Sequence, residues 1–112
     1  MRMMMSVSIP VETGNAAAVK GTLVSTIQQI LADIRPEAAY FSEDQGERHV
    51  LVVFDMRDSS QLPGIAEPWF HALNASVTVR PAMTLQDLAE GLHGLQSAAK
   101  LYGKQPGAKG GN

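Results

Sequence analysis

Four polar side chains of this sequence have the chemistry of a ligand site or an active site, namely Tyr40, His49, Asp55 and Arg80. A phenol can bind a polar group or donate a proton, and a guanidinium can hold a carboxylate or phosphate. His49 and Asp55 share one strand face, but six residues separate them by about 20 Å. They can meet only across a two-fold axis. Alternatively, Tyr40 packs, while Arg80 and Asp55 are interface or strand-end charges.

The three histidines do not form a recognisable metal motif. His49, His71 and His93 are each 22 residues apart, and they fall on a predicted strand and two different predicted helices. The short paired spacing of metal-binding histidines is missing from the sequence. Either helical histidine could ligate a haem, but solvent exposure is their ordinary role. We therefore expect no metal and no cofactor.

The composition is typical of a soluble globular protein. The chain has 112 residues, of which 45% are hydrophobic and 18% charged. This length predicts one domain over residues 1–102, followed by a flexible, glycine-rich tail at residues 103–112. A net charge of -2 argues against nucleic acid or an anionic membrane as the partner.

The amino terminus loosely imitates a signal peptide. Ser6, Ser8 and Pro10 interrupt its apolar stretch, and Glu12 precedes any cleavage site. No run approaches the ~18 apolar residues of a membrane span, and the absence of cysteine fits a reducing compartment. The expected location is the cytoplasm.

The first predicted strand, which starts at Arg2, has two distinct faces. One carries Met3, Met5, Val7 and Ile9, and the other carries Arg2, Met4, Ser6 and Ser8. The first set is a core face. The second is neither a core nor a charged surface, which predicts that another subunit or a ligand covers it.

The first half of the chain predicts a strand, a helix and a hairpin. Residues 12–15 form a turn cluster, and a loose connector runs to Gly21. Apolar residues at helical spacing predict a helix over residues 22–34. Strands follow at residues 37–43 and 47–56, joined by a turn in which Gly46 takes a left-handed conformation. The second of these strands is apolar on both faces, as in a strand covered twice.

The second half predicts a helix, a strand and a terminal helix. The helix covers residues 61–73 after capping candidates at residues 58–60, and Pro68 should bend or split it. Its inward residues are Leu62, Ile65, Ala66, Trp69, Phe70 and Leu73. A strand covers residues 75–81, and Thr84 caps the last helix. The apolar stripe of that helix is Leu85, Leu88, Leu92, Leu95 and Ala99, weakened by Gly91 and Gly94.

This element order, β-α-β-β-α-β with a terminal helix, predicts an α+β, ferredoxin-like fold with an antiparallel sheet. Right-handed connections place both crossover helices on one side of the sheet. The second sheet face and its candidate ligand-binding residues are Met4, Ser6, Ser8, Tyr40, Leu51, Val53, Thr78 and Arg80. Either the terminal helix or a second copy of the chain covers this face. Its mixture of apolar and small polar residues favours the second copy.

Several segments resemble bacterial proteins of the dimeric α+β barrel superfamily. They are residues 3–10, 40–41, 52–55, 67–70 and 79–83, and the resemblance spans residues 2–102. That superfamily includes cofactor-independent monooxygenases, muconolactone isomerase and haem-handling proteins. The resemblance implies two sheets packed face to face, with a pocket inside the barrel or between sheet and helices. It carries no catalytic signature, and fold does not fix function.

Three functions remain open from the sequence. The first is a homodimer that binds a small organic ligand in a barrel pocket. The second is a cofactor-independent monooxygenase, isomerase or dehydratase that uses Tyr40, His49, Asp55 or Arg80. The third is a structural dimerisation module without a ligand.

Overall fold

The computed structural model describes residues 1–103, and the chain divides into two compact units. The first is Met1–Ala82 and the second begins at Met83. The elements of the first unit are β1 (Arg2–Ile9), α1 (Val11–Lys20), α2 (Leu23–Ile34), β2 (Ala38–Asp44), β3 (Glu47–Asp55), a 3-10 turn (Ser59–Gln61), α3 (Leu62–Leu73) and β4 (Ser76–Pro81).

The first unit has the ferredoxin-like α+β fold that the sequence predicts. Its four strands form one antiparallel sheet in the order β2-β3-β1-β4. The strand β1 is central and pairs with β3 on one side and β4 on the other. Residues 3–8 of β1 therefore have a strand neighbour on both sides.

The hydrophobic core lies between one face of this sheet and the helices. The four core residues predicted in β1 are at most 5% exposed. The other members of the core are Ile30, Val50, Val52, Phe54, Met56, Trp69, Leu73 and Ala75. Partly buried residues of α2, among them Ile27 and Leu31, pack against it. The helical layer thus covers the face that the alternation of β1 assigns to the core.

The prediction of a turn and loose connector after the first strand is wrong, because α1 occupies this segment. Pro10 lies at its N-cap position with a φ of -55°, which suits the entry to a helix. The Gly14 amide donates to the Pro10 carbonyl at 2.9 Å. Gly14 is buried against the Arg48 side chain, where a Cβ atom would collide with the guanidinium. This glycine permits a close approach and does not form a turn.

Two predictions concern the helix α3, namely the effect of Pro68 and the set of inward residues. Pro68 lies inside it without splitting it, since the helix runs unbroken over Leu62–Leu73. Phe70 and Leu62, which were expected to face inward, are 40% and 38% exposed. Trp69 and Leu73 are fully buried as predicted. A full turn of helix cannot bury every large apolar residue when its neighbours lie on one side only.

The second unit contains two helices where the sequence predicts one. These are α4 (Leu85–Glu90) and α5 (Leu92–Tyr102), and they are separated at Gly91. Thr84 caps α4 as expected, with the Asp87 amide donating to its hydroxyl at 3.1 Å. No residue of either helix is buried, and Leu85 is 82% exposed. Of the predicted tail, residues 104–112 lie outside the described residues.

No helix within residues 1–103 combines the length and the apolar character that a bilayer crossing requires. The longest helices, α2 and α3, have 12 residues each, which at ~1.5 Å per residue is shorter than a hydrocarbon core of ~30 Å.

The β2–β3 turn yields a testable prediction about backbone conformation. Gly46 has a φ of +81° and no atom within 4 Å of a would-be Cβ, so only its conformation opposes a side chain. We expect Gly46→Ala to lower the free energy of unfolding by ~1–2 kcal/mol. Gly64, inside α3, has equally open space without a positive φ. Gly64→Ala should therefore raise stability, by up to ~1 kcal/mol. Urea denaturation of the two variants measures both changes in the free energy of unfolding. If both variants gained or both lost stability, the left-handed conformation of Gly46 would not be what opposes a side chain there.

Candidate ligand site on the open sheet face

The strand register arranges the second sheet face into rows. We call this face, which is opposite the core, the open sheet face. Its first row is Ala38, Val53, Met4 and Arg80; its second is Tyr40, Leu51, Ser6 and Thr78; its third is Ser42, His49, Ser8 and Ser76. All eight residues predicted as ligand-binding belong to the first two rows or to β1 in the third.

The open sheet face is apolar at its centre and partly exposed. Met4, Leu51 and Val53 are neighbours on the two central strands and keep intermediate exposure, while the core residues beside them are buried. Tyr40, on the outer strand β2, is 66% exposed. Within the unit Met1–Ala82, the buried core and the helix residues packed on it involve only the opposite face. The first unit therefore has a sheet layer and a single helical layer.

The third row is a line of polar side chains across all four strands. The Ser8 hydroxyl and the His49 Nδ1 atom are 3.2 Å apart, within hydrogen-bonding distance. The imidazole accepts or donates according to its tautomer. Ser42 and Ser76 extend the row to the two edge strands. Ser42 and Ser76 are not among the predicted site residues, although their alternation with Tyr40 and Thr78 places them on the same face.

The register brings Tyr40 and His49 together and leaves Arg80 apart. Tyr40 lies opposite Leu51, so His49 is its diagonal neighbour on β3, and such pairs are ~7–8 Å apart. Arg80 lies on β4, three strands from Tyr40, which is about 14 Å at ~4.8 Å per strand. Tyr40, His49 and Ser8 thus form one polar group, and Arg80 a separate one.

Asp55 lies at the end of β3, away from both groups. Its carboxylate accepts a hydrogen bond from the α-amino group of Met1 at 2.8 Å. This bond and the charge of the amine lower the pKa of Asp55 below its ordinary value of 3.8, and Arg57 and Arg2 act in the same direction. A carboxylate with a lowered pKa is a weaker general base. Its position is that of a strand-end charge.

Residues 1–103 contain no group of three His, Asp or Glu side chains that could hold a metal ion. His71 Nε2 lies 2.9 Å from a carboxylate oxygen of Glu67, one helical turn away, and both side chains are more than half exposed. The partner of His49 is Ser8. These two histidines thus have unrelated neighbours.

No family model matches the chain, and no curated protein matches it. Among solved structures, the chain is similar to a formyltetrahydrofolate deformylase from Pseudomonas putida KT2440, with a TM-score of 0.47 and 14% identity. The match covers 91% of this chain and 39% of that one, so the chain spans well under half the length of its structural relative.

Proposed function

We propose that this protein is a homodimer joined through the open sheet face, and that the two sheets enclose a small organic ligand. The single observation that carries the proposal is the partly exposed apolar patch of Met4, Leu51 and Val53 on the two central strands of a sheet with one helical layer. Sheets of this kind are stable when both faces are covered or when the second face is polar. This face is polar along its third row and at Arg80, but it is apolar where Met4, Leu51 and Val53 meet.

Burial energetics support a second copy as the cover. Each large apolar side chain moved from water into an interface contributes ~1.5–3 kcal/mol. Met4, Leu51 and Val53 are already partly buried, so each would gain a part of this amount, and two-fold symmetry doubles the gain that acts against the cost of association. The exposed Tyr40 adds an aromatic residue of the type enriched in interfaces.

The polar groups on the same face support a ligand between the sheets. Ser6, Ser8 and Thr78 have small side chains, which leave room between two facing sheets. Arg80 can hold a carboxylate by a charge-assisted hydrogen bond. The ligand class that fits is therefore a small organic acid with an apolar body.

A cofactor-independent enzyme is the second candidate function, and the polar group of Tyr40, His49 and Ser8 favours it. A phenol and an imidazole within one patch can exchange protons with a bound substrate. A monooxygenase, isomerase or dehydratase reaction would use these two residues, with Arg80 holding the substrate. Asp55 is a poor general base for such a reaction, since its carboxylate is bonded to an amine.

Benzoate is a suitable probe for the ligand part of this proposal. We expect saturable shifts of the Met4 methyl signal, because Met4 is the direct neighbour of Arg80, while the buried Met3 and Met5 signals stay in place. Arg80→Gln should weaken benzoate binding about tenfold. A dimer whose Met4 signal stays in place even at high benzoate concentration would instead indicate a solidly packed interface, as in a structural dimerisation module.

A further inference from the structure

A groove lies between α3 and β4, the strand at one edge of the sheet. Its volume is about 530 Å³, within the range of ligand sites. We call it the β4 groove. Its apolar lining residues are Leu62, Pro63, Ala66, Phe70, Val77 and Val79. All of them belong to the unit Met1–Ala82, and none belongs to the open sheet face.

One wall of the β4 groove is a row of side chains on α3. Leu62, Ala66 and Phe70 follow one another at intervals of four residues, so they lie along one side of the helix. The small Ala66 in the middle is buried, whereas Leu62 and Phe70 are exposed. The row therefore has a depression with a large apolar side chain at each end.

The other wall of the β4 groove is the core side of β4. Val77 and Val79 pair in register with Val7 and Met5, which are fully buried. Val77 and Val79 themselves pack against the core but remain partly exposed. The helical layer thus leaves apolar surface open beside the edge strand.

The hydrogen-bond register shows which backbone groups of β4 are turned towards β1. The Ala82 amide donates to the Arg2 carbonyl at 3.0 Å. Bonded pairs recur at every second residue of an antiparallel ladder, so Arg80 and Thr78 also bond to β1. Pro81, which lacks an N–H, lies at a position where the ladder needs none.

Val77 and Val79 consequently turn their N–H and C=O groups away from β1, towards the free edge. In the described part of the chain β4 pairs with β1 alone, and no turn or loop hydrogen bond there uses these groups. The two residues whose side chains line the groove therefore also present a row of donors and acceptors along its rim. An extended strand is the partner that satisfies such a row.

We infer that the β4 groove binds an extended peptide segment, which adds to the sheet antiparallel to β4. Main-chain hydrogen bonds to Val77 and Val79 hold the peptide. The groove selects apolar side chains at every second position, because opposite residues of an antiparallel pair lie on the same face of the sheet. A second copy of the chain fits less well, since a two-fold axis places one concave groove against another. The inference stands apart from the proposed dimer, which uses the opposite face of the sheet.

The probe for this inference is the blocked peptide acetyl-Lys-Thr-Leu-Thr-Leu-Thr-Lys-amide, whose leucines occupy alternate positions. We expect it to cause saturable shifts of the amide signals of Val77 and Val79 and to slow their hydrogen exchange. The amide of Thr78, which is already bonded to β1, should change little.

Two control peptides separate strand addition from general stickiness. The first carries methyl groups on both leucine nitrogens, which removes the N–H groups that face β4 in the antiparallel arrangement. It should bind about tenfold more weakly. The second, acetyl-Lys-Thr-Leu-Leu-Thr-Thr-Lys-amide, has the same composition without the alternation, so only one leucine can enter the groove. It should also bind about tenfold more weakly.

Substitutions on both walls test the groove from the side of the protein. Val79→Pro removes an outward N–H and keeps the bonds between β4 and β1, and it should weaken the alternating peptide about tenfold. If that variant does not fold, Phe70→Ala keeps the test decisive, because loss of the exposed ring should weaken the peptide about fivefold. Val24→Ala, at a 65% exposed position of α2 outside the groove, is the control and should bind normally.

Three results would overturn the inference. The first is the absence of saturable shifts at Val77 and Val79. The second is equal affinity for the alternating peptide and the two control peptides. The third is a shift of the same amide signals with protein concentration alone, which would show that a second copy occupies this edge.

Discussion

Leu51→Glu is expected to convert the proposed dimer into a monomer. Leu51 lies at the centre of the open sheet face, with Ser6 beside it on β1 and Tyr40 on β2. The substitution removes an apolar contact of ~1.5–3 kcal/mol from each copy and brings two carboxylates into one interface. We expect the dissociation constant to rise more than a hundredfold, which is about 2.7 kcal/mol. Sedimentation velocity at micromolar concentration measures this change.

Val19→Glu is the matched control for this substitution, since it also replaces an aliphatic residue by glutamate. Val19 is 89% exposed on α1 and lies outside the sheet, so the control should remain dimeric. A folded Leu51→Glu protein with an unchanged mass would rule out the open sheet face as the interface. Circular dichroism shows whether each variant is folded.

Trp69→Ala is expected to remove much of the stability of the fold. Trp69 is 0% exposed and is the largest fully buried side chain of the core. Truncation of a buried aromatic residue costs ~3–5 kcal/mol, because it forfeits burial and leaves a cavity. The total stability of a domain is only ~5–15 kcal/mol. Urea denaturation followed by circular dichroism should show a correspondingly lower midpoint.

The neighbouring Phe70 provides an internal control on the same helix. It is 40% exposed, so Phe70→Ala should cost less than ~1.5 kcal/mol. Trp69→Phe should cost less than Trp69→Ala, because it keeps an aromatic ring and removes an indole N–H that has no hydrogen-bond partner among the described residues. Equal costs at positions 69 and 70 would contradict the assignment of the core.

The fold was predictable from the sequence where one face of an element is buried. The alternation in β1 distinguishes Met3 and Met5 from Met4, and the structure places the first two in the core and the third on the open sheet face. The helix α1 could not be predicted because Gly14 reads as a turn residue. Its role depends on contact with Arg48, which is 34 residues away in sequence.

The candidate site was predictable only in part. Parity along the strands placed Tyr40, Leu51 and Thr78 on one face, and the structure shows them in one row. The cleft of about 370 Å³ between α2 and the β2–β3 hairpin was not predicted, because no local pattern encodes the gap between α2 and β2. On β3, Arg48 lies on the same face as the buried Val50. An arginine on a core face is unusual, and this was the sequence feature that could have drawn attention to the cleft.

The most direct test of the dimer through the open sheet face is a dilution series of the unmodified protein, followed by methionine methyl signals and by mass. At high concentration we predict a mass near 24 kDa, twice the 12.0 kDa of one chain. Dilution should halve the mass and shift the Met4 methyl in step, while the core methyls of Met3 and Met5 stay fixed. A dimer that dissociates without any change at Met4, or a monomer throughout the series, would contradict the proposed assembly.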